Sequence, residues 1–279
     1  YRPDLVITID SPSFSYRIIK KIQILRSNAR FFHYVAPSVW AWKSYRAKLF
    51  SKLYDRMFTL FSFEPKYFIK HGMKTKFVGH PIFFQNYKQI KRKKLIIFLP
   101  GSRKVEIKRN MDKLRMVIHK SEKLFNEFEF YILTFKQHKS IIKDYLYSNS
   151  INIEIDDKKK KKLMKQAFLA VAASGSVTLE LIKFKTPMLV FYDTHWITSK
   201  LIKFFVRVKF ASLINIIFEK EVVPEFLFEK FTTKNLINEM EQLLFNKKRR
   251  EKQLSYFKAF SKKMLLKKKN PSEEITNYL

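Results

Sequence analysis

The chain has 279 residues, enough for one or two domains with a sizeable buried core. It contains no cysteine, which excludes disulfides and thiol ligands and makes a reducing intracellular compartment the simpler expectation, and no run nears the roughly 18 apolar residues of a bilayer span. Lys and Arg number 57 against 24 Asp and Glu, a net charge of +33 that favours anionic partners, although 29 phenylalanines and only 4 glycines are also what an AT-rich genome would produce.

The first residue is Tyr1, and "RPDLVITID" already reads as a strand, so the expectation is a fragment that lost its beginning. Short apolar runs then alternate with amphipathic stretches. Strands are expected at 4–10, 30–36, 56–61 and 76–78, and after the charged stretch 88–94 they resume at 95–99, 128–134, 151–155, 168–173 and 188–192. Helical patterns fill most gaps, notably 106–126 and 233–250. This alternation predicts an α/β fold with largely parallel sheets. "FFQNYKQIKRKK" has no apolar rhythm and reads as a linker, while "DDKKKKKLMKQA" reads as a solvated helix start with acids at its N-terminal end.

Three of the four glycines follow an apolar strand at once: Gly79 in "KFVGHP", Gly101 in "FLPGSRK" and Gly175 in "AASGSVTLE". Ligands of open α/β sheets bind beyond the carboxyl ends of the strands, where a glycine gives a tight turn or lets a bound group approach the backbone. A helix start after Gly175, with its unpaired N–H groups and the hydroxyls of Ser174, Ser176 and Thr178, suits a phosphate or diphosphate. Glu180 is placed to accept from ribose hydroxyls, or else simply pairs with the helix dipole. Arg103 can grip an oxygen pair as a bidentate donor, or else is a surface arginine. Glu106 reads as helix-start chemistry. Neither a P-loop nor a dinucleotide fingerprint occurs.

Six segments in this order carry a family resemblance: "VITIDSPSF", "HYVAPSVWAWKSYR", "FSFEPKYFIKHGMKTKFVGHP", "LPGSRKVEIKR", "VAASGSVTLELIKFKTPMLVFY" and "SLINIIFEKEVVPEFLFE". The chain resembles the lipid-A-disaccharide synthases, glycosyltransferases of lipid A assembly, from Arg2 to about Phe231. The resemblance implies two Rossmann-like domains of GT-B type, the first incomplete. They would span 1–86, a linker 87–93, a UDP-sugar-binding domain 94–250, and C-terminal helices 251–279 packing back toward the first domain. The implied reaction joins UDP-2,3-diacylglucosamine to 2,3-diacylglucosamine 1-phosphate with inversion, releasing UDP. It needs no cofactor and no metal, in keeping with a sequence that has neither an H-E-x-x-H nor a D-x-D signature.

By the same resemblance Asp10 is the base and Arg103 meets the leaving group. Ser174, Gly175, Ser176, Thr178 and Glu180 form the UDP site, and Asn215 and Glu221 add substrate contacts. The family's "G-I-D-x-P-D-F" is here "T-I-D-S-P-S-F", with Thr8 for glycine and Ser13 for the second aspartate. Lys220 replaces an arginine before Glu221, losing the bidentate fork. Trp40 and Trp42 are candidates for the sugar or acyl wall and, with His33, equally for core packing; His80 closes the next strand turn as a further substrate-binding candidate. Asp10 reads alternatively as a helix N-cap.

Both implied substrates carry acyl chains, so the protein is expected in the cytoplasm, peripheral on the inner face of the bacterial inner membrane; a homodimer is one option, and the sequence leaves the oligomeric state open. In "SKLIKFFVRVKF", Lys200, Lys203 and Arg207 are the candidate contacts to an anionic surface, unless this is a core-facing helix. The alternatives are another UDP-sugar GT-B enzyme, a UDP-GlcNAc epimerase, an inactive fragment, or a basic nucleic-acid-binding protein; against the last, no RRM or KH signature is present.

Overall fold

The computed structural model describes residues 2–88, 90–147, 150–193, 209–265 and 270–279. These described residues form two compact units, one of 2–86 with 262–265 and 270–279, the other of those from 87 to 193 and from 209 to 261.

The first unit holds a four-stranded parallel sheet in the order β1-β2-β3-β4, with β1 Leu5–Ile9, β2 Arg30–Tyr34, β3 Arg56–Thr59 and β4 Lys74–Phe77. Helices α1 (Pro12–Lys21), α2 (Arg46–Leu53) and α3 (Lys66–Ile69) make the crossovers that parallel pairing requires. Strand β2 is buried through Phe31, Phe32 and His33, whereas the edge strand β1 leaves Ile9 64% exposed. One face packs Ile19, Phe31, Phe50, Met57 and Phe68. The other packs Phe32, Phe58 and Val78 against Ile275 and Tyr278 of the chain's last residues.

The second unit is a six-stranded parallel sheet in the order β10-β9-β8-β5-β6-β7. Its elements are β5 Leu95–Leu99, α4 Lys104–Leu124, β6 Glu129–Leu133, α5 Lys139–Lys143, β7 Asn152–Glu154, α6 Asp157–Gln166, β8 Leu169–Ala173, α7 Val177–Lys183, β9 Met188–Tyr192, α8 Leu213–Phe218, β10 Glu225–Leu227, α9 Thr233–Phe245 and α10 Lys247–Met264. Every residue of β5 and β8 is buried, as expected of central strands covered by helices on both faces. The chain reverses its strand order where β5 pairs with both β6 and β8, which puts the carboxyl ends of β5 and β8 at a switch point.

Three expectations change. Residues 87–93 are not a free linker: the Tyr87 hydroxyl donates to the Lys183 carbonyl, Arg92 donates to the carbonyls of Ala167 and Lys185, and both residues belong to the second unit. The expected helix 233–250 is two helices parted at Asn246, whose side chain accepts from the Arg249 N–H and so starts α10. Strand β10 is an addition, too short to leave an apolar run.

Candidate functional site

At the carboxyl ends of β5, β6 and β8 lies a cleft of about 270 Å³, lined among others by Gly101, Ser102, Thr134, Phe135, Asp157, Lys160, Lys161, Ser174, Gly175, Ser176 and Glu180. Its β5 rim is rigid. Gly101 has φ +122°, and a Cβ there would lie 2.6 Å from the Glu106 carboxyl carbon, so only glycine fits. Glu106 accepts from the N–H groups of Ser102 (3.1 Å) and Arg103 (3.4 Å), and buried Asn110 donates to the Pro100 carbonyl at 2.7 Å. Glu106 is thus the helix-start residue that its spacing suggests. Arg103 stands exposed at the N-cap of α4 and is not among the residues lining the cleft.

The β8 rim is different. Gly175 does not adopt positive φ, and a Cβ built on it meets nothing within 4 Å. Among the described residues neither backbone nor packing demands glycine, and Gly175 lines the cleft. The Ser174 N–H is tied to Phe191 at 2.8 Å, and those of Thr178 and Leu179 to the carbonyls of Gly175 and Ser176. The N–H groups of Gly175, Ser176 and Val177 have no acceptor among the described residues. Ser176 is exposed and Ser174 half-buried, its hydroxyl 3.3 Å from the Ala211 carbonyl. Thr178 corrects its expectation: it is 3% exposed and donates at 2.7 Å to the Gly175 carbonyl, so it shapes the turn instead of facing the cleft. Glu180 does line the cleft. Burial raises its pKa, and Lys161, Lys183 and Lys160 pull it back down.

The lysine-rich helix α6 is not wholly solvated. Lys160 is 9% exposed, donates to the Thr134 carbonyl at 2.9 Å and pairs with Asp157 at 2.8 Å. Five consecutive lysines carry no periodic signal, which is why the sequence does not single it out; only the spacing to buried Met164, on the same helix face, marks it.

Asn215 is fully buried. Its amide donates to the Val223 carbonyl and to Glu225, both at 2.7 Å, and its carbonyl accepts from the N–H groups of Val222 and Val223. Two donors and two lone pairs are all it has. It holds the loop before β10 and has nothing left for a substrate. Glu225 finishes that knot by accepting from Ala211 and Ser212. Glu221 is exposed and lines a separate hollow of about 440 Å³ with Glu239, Arg249, Lys252 and Tyr256.

In the first unit, Asp10 follows β1 with φ 53°, and Ser11 follows with φ 46°. Asp10 is exposed, its N–H bonds to Tyr34 at 2.9 Å and its carbonyl accepts from the Ser15 hydroxyl at 2.8 Å. The N-cap of α1 is Ser11, with no side-chain cap bond, so the carboxylate of Asp10 is not spent on capping. Ser13 accepts from Arg46 at 3.0 Å. His33 belongs to the core: it is fully buried, burial lowers its pKa to about 4, and its ring lies against Phe50 and Tyr54. Trp40 is half-buried and donates at 3.3 Å to Glu64, while Trp42 is 49% exposed with the Lys43 ammonium 4.1 Å from its ring. His80 is half-buried, and its Nδ1 accepts from the Ile82 N–H at 3.2 Å and caps the turn Pro81–Phe84. Lys200, Lys203 and Arg207 lie outside the described residues; no described helix is long and apolar enough to cross a membrane.

The family model for lipid-A-disaccharide synthetase matches residues 1–278. The lipid-A-disaccharide synthase of Rickettsia conorii is 35% identical over 265 residues, 91% of this chain and 59% of that protein. That of Rickettsia typhi is 34% identical over 99% of this chain and 75% of its own, and that of Rickettsia prowazekii 36% identical over 94% and 72%. The chain thus spans between 59% and 75% of the length of these relatives. Among solved structures, UDP-GlcNAc 2-epimerase from Neisseria meningitidis, bound to UDP-GlcNAc, superposes with a TM-score of 0.62 at 14% identity, covering 96% of this chain and 77% of that one. The epimerase of Methanocaldococcus jannaschii, in complex with UDP-GlcNAc and UDP, gives 0.54 at 17% identity over 88% and 70%. At such identities the likeness is one of fold, that of two parallel-sheet Rossmann-like units.

Proposed function

The chain belongs to the lipid-A-disaccharide synthetase family, and from that membership we propose that it is a hexosyltransferase of lipid A assembly. The donor is UDP-2,3-diacylglucosamine and the acceptor 2,3-diacylglucosamine 1-phosphate. Asp10 takes the proton of the acceptor's 6-hydroxyl as that oxygen bonds to C1 of the donor. The C1–O bond to the diphosphate breaks, its electron pair leaves with UDP, and an α-linked donor becomes a β-linked product. Charge building on the diphosphate is met by the N–H groups at 175–177, which have no acceptor among the described residues, with Arg103, next in sequence to the cleft residue Ser102, as the cation. Glu180 accepts from the ribose hydroxyls.

The observation that supports this most directly is Gly175: a residue without a side chain, needed by neither its backbone nor the described packing, at a strand exit where the N–H groups of 175–177 have no acceptor among the described residues. Calorimetric titration with UDP tests it, together with an assay of UDP release from diacylated and unacylated donors. Absence of UDP binding overturns the reading; equal turnover of both donors overturns the lipid substrate. Because both substrates are acylated, the protein works at an anionic membrane surface, and Lys200, Lys203 and Arg207 are the proposed contacts.

A further inference from the structure

The β6 side of the cleft is two strands from the glycine turn in the order β8-β5-β6, about 9–10 Å away at ordinary strand spacing. Its wall is made by Thr134, Phe135, Asp157 and Lys160. A nucleoside diphosphate held by its phosphates at 175–177 and lying along the cleft brings its base to this wall.

The chemistry there is built, not incidental. The Lys160 ammonium is fixed by the Thr134 carbonyl at 2.9 Å, by Asp157 at 2.8 Å and by the ring of Phe135, whose centre is 4.4 Å away. An ammonium has three donors and no acceptor. Two are hydrogen-bonded, to Thr134 and Asp157, and the third makes no hydrogen bond among the described residues. Thr134 is 2% exposed, and its hydroxyl is buried with no partner among the described residues. Such an orphan is costly unless something else satisfies it. Phe135 is 45% exposed and offers a flat apolar face.

From this fixed donor, rotatable hydroxyl and aromatic face, we propose that Lys160, Thr134 and Phe135 read the base of the bound nucleotide, and that Lys160 selects uracil over cytosine. The proposal rests on the UDP-sugar reading above and deepens it. Uracil presents a C4 carbonyl acceptor beside an N3–H donor, and cytosine presents the reverse, an amino donor beside a bare N3. The Thr134 hydroxyl answers either pattern, since it both donates and accepts. Lys160 can only donate, so it rewards a carbonyl and opposes an amino group.

The test is calorimetric titration of the full chain with UDP and with CDP. The unaltered protein prefers UDP by roughly ten- to a hundredfold, the scale of one charge-assisted hydrogen bond. Lys160→Met brings the two nucleotides to within about threefold, chiefly by weakening UDP. Thr134→Val weakens both and leaves their ratio intact. Should Lys160→Met fail to fold, Thr134→Val and Phe135→Leu carry the test, and unchanged UDP affinity in both overturns the assignment. Absence of UDP binding by the unaltered protein overturns the donor-site reading itself. UDP binding without preference over CDP, or a preference that survives in Lys160→Met, overturns the base-reading assignment alone.

Discussion

The hydroxyl oxygen of Thr8 lies 2.7 Å from Nδ1 of His33, its register partner on the neighbouring strand, and 2.9 Å from the Tyr54 hydroxyl. Burial holds Tyr54 up at about 12, so its hydroxyl keeps its proton and stays in a neutral hydrogen bond with Thr8. Nε2 of His33 is buried with no partner among the described residues. Thr8 stands where the family pattern has glycine, and this network is what the exchange adds. Thr8→Val strands two buried groups at once and should cost about 1–3 kcal/mol. Thr8→Ser should cost under about 1 kcal/mol. Urea denaturation of the two variants checks the difference.

The same unit holds two titrating groups of opposite sign. His33 is lowered to about 4, so below its ordinary value of 6.5 the unfolded chain binds a proton that the folded one refuses. Its stability contribution is present above 6.5 and is lost as pH falls toward 4. Glu64, 3% exposed, is raised by burial to about 7, against backbone N–H donors at Phe61 and Leu60 and the Trp40 indole. Its contribution is present below about 4.5 and is lost as pH rises through 7. Each amounts to about 3 kcal/mol over its window, and the two nearly cancel. Glu64→Gln should therefore expose a decline in stability from pH 6.5 toward 4, and His33→Phe a decline from 4.5 toward 7. Denaturant midpoints measured across that range test both signs.

The sheet of the second unit is legible because β5, β8 and β9 are covered on both faces and so read as unbroken apolar runs. Strand β10 has only Glu225–Leu227, all half-buried, and leaves no such run. Site residues are legible by type and not by direction. Thr178 and Asn215 have the chemistry for ligand contact, and each spends it on neighbouring backbone groups that no local pattern discloses. Lys160 is the converse case, a cleft residue hidden in a lysine run.

Asp10 and Ser13 test the acceptor side. Asp10→Asn should reduce turnover by roughly 10²–10⁴, the scale of general base catalysis, while leaving UDP affinity within about twofold. An equal collapse of UDP binding would make Asp10 structural. Ser13→Asp restores the family's second carboxylate opposite the Arg46 guanidinium, now 3.0 Å from the serine hydroxyl. On an exposed site the new pair should add at most about 1 kcal/mol, so the melting temperature should rise by no more than a few degrees, and a rise in turnover beyond that is the measure of the restored carboxylate.

Two glycines that look alike in sequence should behave oppositely. Gly101 and Gly175 each follow a buried strand and precede a serine and a helix. A Cβ at Gly101 collides with the Glu106 carboxyl group on a backbone of φ +122°, whereas a Cβ at Gly175 meets open space on an ordinary backbone. Gly101→Ala should destabilise the second unit by about 1–3 kcal/mol through backbone strain and displacement of the Glu106 cap. Gly175→Ala should leave stability within about 0.5 kcal/mol, as a surface substitution free of such strain does. Its cost should fall on binding: a methyl group over the free amides keeps the diphosphate from them, and UDP affinity should drop by roughly tenfold or more, with Gly175→Val worse. Thermal melts and UDP calorimetry on the same two variants separate these effects. Full UDP affinity in Gly175→Val would remove the turn from the donor site.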